Sequence, residues 1–210
     1  MNDAAPQILL FDVGNVLIEV DFARVTAAWA AAAGVPAERI APRFTVDAAY
    51  CAHETGALDE AGYFAHLRER LGLALPDEVL RAGWNEVFVA PVRGMERVLR
   101  SLSARFPLYG FSNTNRCHAA HFVPRYSGVI GHLRELFCSC ELGWRKPDPR
   151  AYAEVVRRIG APPGRIVFFD DLQENVEAAR RAGMVAFPVR GAAGVRDALH
   201  AIGIALSENS

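Results

Sequence analysis

In LLFDVGNV, residues 9 to 16, an apolar and aromatic run of strand type stops at an acid, Asp12, with Gly14 two places later and Asn15 after it. The full run, QILLF at 7–11, suits a strand covered on both faces. Similar runs follow in LYGF (108–111), IVFF (166–169) and MVAFPV (184–189), with LFCSC (136–140) a weaker candidate. Helical periodicity fills the intervals: VRGMERVLRSLSARF (92–106), DPRAYAEVVRRIG (148–160) and QENVEAARRAG (173–183). Gly160 and Gly183 stand where C-terminal helix caps fall. Strand and helix in alternation predict an α/β fold, a doubly wound parallel sheet.

Residues 21–91 break that alternation. DFARVTAAWAAAAG (21–34), LDEAGYFAHLRERLG (58–72) and PDEVLRAGWNEVF (76–88) read as amphipathic helices, with no convincing strand between them. The expected organisation is an α/β core of 1–20 and 92–210, with a small helical cap of 21–91 inserted after the first strand and lying over its carboxyl end.

The chain has 210 residues, 51% hydrophobic and 22% charged, with a formal net charge of -1. It has no basic surplus to hold a nucleic-acid backbone or an anionic membrane, so neither is an expected partner. The start, MNDAAPQILLFDVG, lacks a basic region, and its apolar run meets an acid early. Neither a leader nor an anchor is expected, and a cytoplasmic location is. Cys51, Cys117, Cys138 and Cys140 show no zinc spacing and no dense disulfide framework, which predicts reduced thiols.

Polar residues collect where the strands end. Asp12 follows the first, Ser112 and Asn113 the second, Asp170 and Asp171 the third; Lys146 lies in GWRKPDPR (143–150) ahead of a helix. Beyond the strand ends of an open α/β sheet lies the crevice where ligands bind, and acids with one ammonium there suit a divalent cation and a phosphate. Each also has a local reading: an Asx-turn at Asp12, a helix cap near Ser112, a helix N-terminus at Asp171, a solvated Lys146. FFDD at 168–171 weighs against these, because adjacent acids repel unless a cation or donor compensates.

FDVGNV (11–16), FSNTN (111–115), RKPDPRAY (145–152) and FFDDLQENVEAA (168–179) resemble, in order, the four motifs of the haloacid dehalogenase superfamily of aspartate-nucleophile hydrolases. The DxGNV form, the SNTNR stretch and an HETG turn at 53–56 resemble the bacterial α-D-glucose-1-phosphate phosphatases. The resemblance implies a Rossmannoid core and a phosphoric monoester hydrolase acting on a small phosphorylated metabolite. Asp12 would be nucleophile and metal ligand, Ser112 and the amide of Asn113 would bind phosphoryl oxygens, and Lys146 would neutralise charge. Asp171 and the Gly14 main-chain carbonyl would complete a site for Mg²⁺, with Mn²⁺ possible, and Asp170 would support it from outside.

Gly14 departs from the family pattern, which places a second aspartate there as general acid. Such catalysis is typically worth about 10²–10⁴-fold, so its loss favours leaving groups that depart as anions. Sugar 1-phosphates such as α-D-glucose 1-phosphate are therefore expected over 6-phosphates. His53, Glu54, Trp84 and Trp144 are candidates for hydroxyl contacts or ring stacking, although a polar HETG turn more often just connects helices and a tryptophan at helical spacing more often fills a core. Two other functions stay open: a metal-independent 2-haloacid dehalogenase, for which the pair Asp170 and Asp171 is unexpected, and a non-catalytic phosphate-binding module. A monomer or homodimer is expected.

Overall fold

The computed structural model describes residues 8–206; Gln7, the expected start of the first strand, and the rest of the N-terminal stretch lie outside the described residues. The first strand, β1 (Ile8–Phe11), is buried at all four residues. A short β2 (Ile18–Val20) leads into α1 (Phe22–Ala33), α2 (Ala48–Glu54), α3 (Glu60–Leu71) and α4 (Asp77–Asn85), and β3 (Phe88–Pro91) leads out. Then come α5 (Met95–Ser103), β4 (Leu108–Ser112), α6 (Arg116–Arg125), α7 (Ser127–Ile130), β5 (Glu135–Cys138), α8 (Ser139–Leu142) and α9 (Pro149–Ile159). The chain closes with β6 (Ile166–Asp170), α10 (Gln173–Arg181), β7 (Val185–Pro188) and α11 (Gly191–Ala201).

Five parallel strands form the main sheet in the order β5-β4-β1-β6-β7. With β1 central, β4 and β6 flank it, so the ends of the three strands carrying Asp12, Ser112 and Asp170 are neighbours. The chain reverses its winding direction here, which opens a crevice at the carboxyl edge. Apolar clusters cover both sheet faces, one built around Leu9, Phe11 and Phe169, the other around Leu10, Phe111 and Phe168. The alternation of neighbouring residues between faces follows from the two-residue period of a strand.

The helices begin and end on local chemistry. The carboxylate of Asp21 caps α1 by accepting from the Ala23 N–H at 2.9 Å, and Asp59 caps α3 through Gly62 at 2.8 Å. Gly160 ends α9 in the left-handed region, φ 72°, as the sequence predicts. Asn115 takes the cap of α6, accepting from the His118 N–H at 2.9 Å.

Helices α1 to α4 pack around their own apolar cluster, centred on Trp29, Tyr63 and Trp84. Trp29 and Trp84 stack at 5.8 Å, and the Trp29 indole donates to the Leu80 carbonyl at 2.9 Å. Gly83 permits this approach, since a Cβ there would lie 2.4 Å from the Trp29 ring. The insertion differs from expectation in two elements: α2 is a fourth helix, and β3 is a strand that pairs antiparallel with β2, tying the two ends of the insertion together. Four residues alternating half-buried and exposed give too short a pattern to read without the partner strand.

Cap and core are joined at the end of α2. The Ser139 hydroxyl donates to the Glu54 carbonyl at 2.6 Å and accepts from the Thr114 N–H at 2.9 Å. Arg145 donates to the Glu54 carboxylate at 2.7 Å. No helix among the described residues is long and apolar enough to cross a membrane. The four thiols are unbridged.

Candidate active site

Asp12 follows β1 by one residue and keeps the ladder's register, its N–H donating to the Phe169 carbonyl at 2.8 Å. That bond aims its side chain into the crevice. Lys146 arrives from the loop before α9 and is 2% exposed. Its ammonium donates to Asp12 Oδ1 at 2.6 Å, Asp170 Oδ2 at 2.7 Å and the Phe111 carbonyl at 2.9 Å. All three of its protons are thereby used. The rings of Phe111 and Phe168 flank it at 5.0 and 5.3 Å.

Burial works against the Lys146 charge, but Asp12 and Asp170 outweigh it and hold the ammonium above the usual lysine range. Asp12 shows the opposite balance. Burial, with Asp170 and Asp171 adding to it, pushes its carboxyl up to about 7 against the pull of Lys146. Asp170 is fully buried and fixed by the Leu172 N–H at 2.9 Å and the Asn175 amide at 3.0 and 3.1 Å. Asp171, half-buried, is raised above the usual aspartate range by burial and by its neighbour Asp170.

Ligand oxygens of Asp12, Asp170 and Asp171 lie within 4.8 Å of one another. Opposite oxygens of an octahedral Mg²⁺ with bonds of about 2.1 Å stand roughly 4.2 Å apart. The donor set therefore fits a hard divalent cation after a small closure, and a third acid beside two that share one lysine gives that cation a charge to balance.

Asn15, which sequence reading did not single out, holds this arrangement. Its φ of 56° is a left-handed conformation that asparagine tolerates better than most residues. Its side chain accepts from the Val20 N–H at 3.2 Å and donates to Asp171 Oδ2 at 3.0 Å, linking β2 to the acid. Asn15→Gly keeps the backbone conformation and deletes both bonds. The expected result is an increase of about tenfold in the Mg²⁺ concentration for half-maximal phosphate release, the lower end for losing an outer partner of a metal ligand. An unchanged Mg²⁺ titration would show the Asn15 contact to be idle.

Ser112 sits at the end of β4 with its hydroxyl 3.5 Å from the Asn113 carbonyl, a contact weak enough to yield to a ligand. The Asn113 side chain is engaged with the lysine loop. It donates to the Lys146 carbonyl at 2.8 Å and accepts from the Lys146 N–H at 2.7 Å, so it pins the lysine loop and leaves only its backbone N–H for substrate.

A cavity of about 320 Å³ opens between this cluster and the cap, with Asp12, Ser112, Lys146 and Asp171 among its lining residues. Glu54 lines it, buried and bonded to Arg145. His53 does not: α2 runs through His53 and Glu54 before the chain turns at Thr55 and Gly56, and the helix faces His53 into the cap, stacked on Tyr63 at 4.5 Å with Nδ1 3.1 Å from the Leu58 carbonyl. Trp84 fills the cap core, and Trp144 lies outside the cavity under the Arg150 guanidinium at 3.5 Å. Sequence reading also missed Arg145 and Asn175. Arg145 adjoins the lysine in RKP and Asn175 lies one turn past the acid pair, a spacing that offered the available signal.

A carboxylate at the end of a central parallel strand, clamped by a buried lysine beside two further acids, defines an α/β hydrolase built on an aspartate. The chain belongs to the haloacid dehalogenase-like hydrolases, whose family model matches residues 6–183. It is similar to flavin mononucleotide hydrolase 1 of Arabidopsis thaliana, 29% identical over 189 residues, 84% of this chain and 69% of that protein. A phosphatase of Mycobacterium tuberculosis is 27% identical over 197 residues, 90% of this chain and 89% of the relative. A haloacid dehalogenase family enzyme of Bacteroides thetaiotaomicron, solved with magnesium and inorganic phosphate, superposes with a TM-score of 0.77 at 25% identity, covering 89% of this chain and 96% of that one. The protein is thus a phosphatase-type member of the family, a phosphoric monoester hydrolase.

Proposed function

We propose that the chain is a magnesium-assisted phosphatase of a small phosphorylated metabolite, working through an aspartyl-phosphate on Asp12. The observation that carries this reading is Lys146 bonded at once to Asp12 and Asp170, with Asp171 alongside. The phosphate rests against the Ser112 hydroxyl and the Asn113 N–H, while Lys146 offsets its charge. Because Lys146 takes Oδ1, Asp12 presents Oδ2 to phosphorus for in-line attack. Mg²⁺, or Mn²⁺ with the same oxygen preference, held by Asp12, Asp171 and the Gly14 carbonyl with Asp170 behind them, would supply charge stabilisation at the phosphoryl group. Water then cleaves the acyl phosphate.

Neither backbone nor packing demands the glycine at 14. Its φ is not among the positive ones, and a Cβ there would meet Val20 at 3.6 Å and Asp12 at 4.0 Å, ordinary contact distances. A Cβ is thus admitted at this position, and the glycine leaves the leaving group to depart without a proton from it. Substrates with an acidic leaving oxygen satisfy that condition. Sugar 1-phosphates such as α-D-glucose 1-phosphate do so through the anomeric oxygen, in keeping with the resemblance in DVGNV; aryl phosphates do so through a phenolic one.

Gly14→Asp is expected to raise turnover of glucose 6-phosphate by about 10–100-fold, within the range for a positioned general acid, and to change glucose 1-phosphate far less. The deciding experiment is a phosphate-release screen with and without EDTA, repeated on Asp12→Asn. Turnover that persists in EDTA defeats the metal-assisted reading. Glucose 6-phosphate matching glucose 1-phosphate defeats the leaving-group argument, and halide release without phosphate release would indicate a dehalogenase.

A further inference from the structure

We infer that the chamber beyond the phosphate takes a flat apolar ring, which makes aryl phosphates, esters of phenolic or heteroaromatic hydroxyls, the substrate class. This rests on the phosphatase reading above. Besides Asp12 and Lys146, the cavity is lined by Val20, Phe22, Val87, Phe88, Phe122 and Leu172. Six large apolar side chains are exposed among the described residues, and three of them, Phe22 at 40%, Val46 at 63% and Leu172 at 49%, line this one cavity. Grouped exposed apolar side chains at a cleft mark a surface that a ligand covers.

Three polar side chains of the lining are already engaged, while Asn175 Oδ1 is buried without a partner. Glu54 and Arg145 bind each other, and His118 has Nε2 3.1 Å from the Trp84 carbonyl. A hexose would bring several hydroxyls to this wall and find few partners, and stripping a hydroxyl of water without replacement is unfavourable. An aromatic ring carries no such penalty and buries a large area.

Gly14 points to the same chemistry independently. The aspartate oxygen forms its bond to phosphorus, the bond from phosphorus to the aryl oxygen breaks, and that oxygen leaves with the electron pair as a phenolate. It collects its proton from water outside the site. Water then hydrolyses the aspartyl-phosphate to inorganic phosphate and restores Asp12.

The test compares kcat/KM of the full chain with Mg²⁺ for 1-naphthyl phosphate, phenyl phosphate, glucose 1-phosphate and acetyl phosphate. The two aryl esters have hydroxyls of similar acidity and differ in ring area. The naphthyl ester is expected to exceed the phenyl ester by about tenfold, the effect of one more buried ring edge, and both should exceed glucose 1-phosphate. Phe22→Ala, at the exposed mouth, should lower the naphthyl value about five- to tenfold and leave acetyl phosphate within about twofold. Glucose 1-phosphate outperforming the aryl esters, equal naphthyl and phenyl values, or equal losses on all substrates in the variant would overturn the inference alone. Phosphate release from none of the four would overturn the phosphatase reading, and this inference with it.

Discussion

Asp12→Asn is expected to lower phosphate release by about 10⁴-fold or more, the scale of losing a nucleophile that acts with its partners as a unit, and at the same time to stabilise the metal-free fold. Both effects come from one carboxylate. Asparagine cannot form the acyl phosphate, so the chemical step has no alternative route through this site. The stability effect follows from the cost of its charge, since burial, then Asp170 and Asp171, push the Asp12 carboxyl from 3.8 up to about 7.

For a carboxyl raised in the folded state, the stabilising contribution is whole below the ordinary value of 3.8 and drains away as the pH climbs to about 7. Asparagine has no proton to lose and escapes that loss. Urea unfolding in EDTA at pH 4.5, 6 and 7.5 should show the variant gaining on the wild type with rising pH, reaching about 1–3 kcal/mol at the top. The gain falls short of the whole shift because asparagine weakens the contact with Lys146. A variant no more stable than wild type at pH 7.5 would remove this account of the site.

Lys146→Met is expected to damage both stability and activity. The ammonium is the partner of two buried carboxylates and cannot be replaced from solvent at 2% exposure. Removing one member of a buried ion pair typically costs about 3–5 kcal/mol, and losing a charge aimed at the reacting group about 10²–10³-fold in kcat. Chemical denaturation and steady-state kinetics read the two effects separately. Adding Asp12→Asn should recover more stability in the Lys146→Met background than it adds to the wild type, because there it removes a stranded negative charge; equal gains in the two backgrounds would show that the two side chains are not coupled.

The parts of the fold legible in sequence were those where one short stretch contains its own reason. ILLF and IVFF are apolar at every position because both sheet faces are covered, and an acid at the end of each run has little structural cause to be there. Ser112 and Lys146 were readable for the same reason, as polar groups next to buried strands or helix starts. What escaped depends on distant partners. FVAP becomes β3 only beside Ile18–Val20. His53 turns inward because Asp47 caps a helix, accepting from the Tyr50 N–H at 2.9 Å, and so sets which face of α2 meets the cap core. Asn15 touches Val20 and Asp171 at once, and Asp171 lies far along the chain. The apolar chamber draws Phe22, Val46 and Leu172 from three unrelated stretches, none of which looks like a binding site alone.

The Glu54–Arg145 pair fastens the lid to the loop that carries the ammonium. Arg145 is the chain neighbour of Lys146, so a foreign lid transplanted onto this scaffold without an acid at that spot strands the Arg145 guanidinium, while Asn113 still holds the lysine. Recombining lids among such hydrolases should therefore cost least when that one carboxylate travels with the graft.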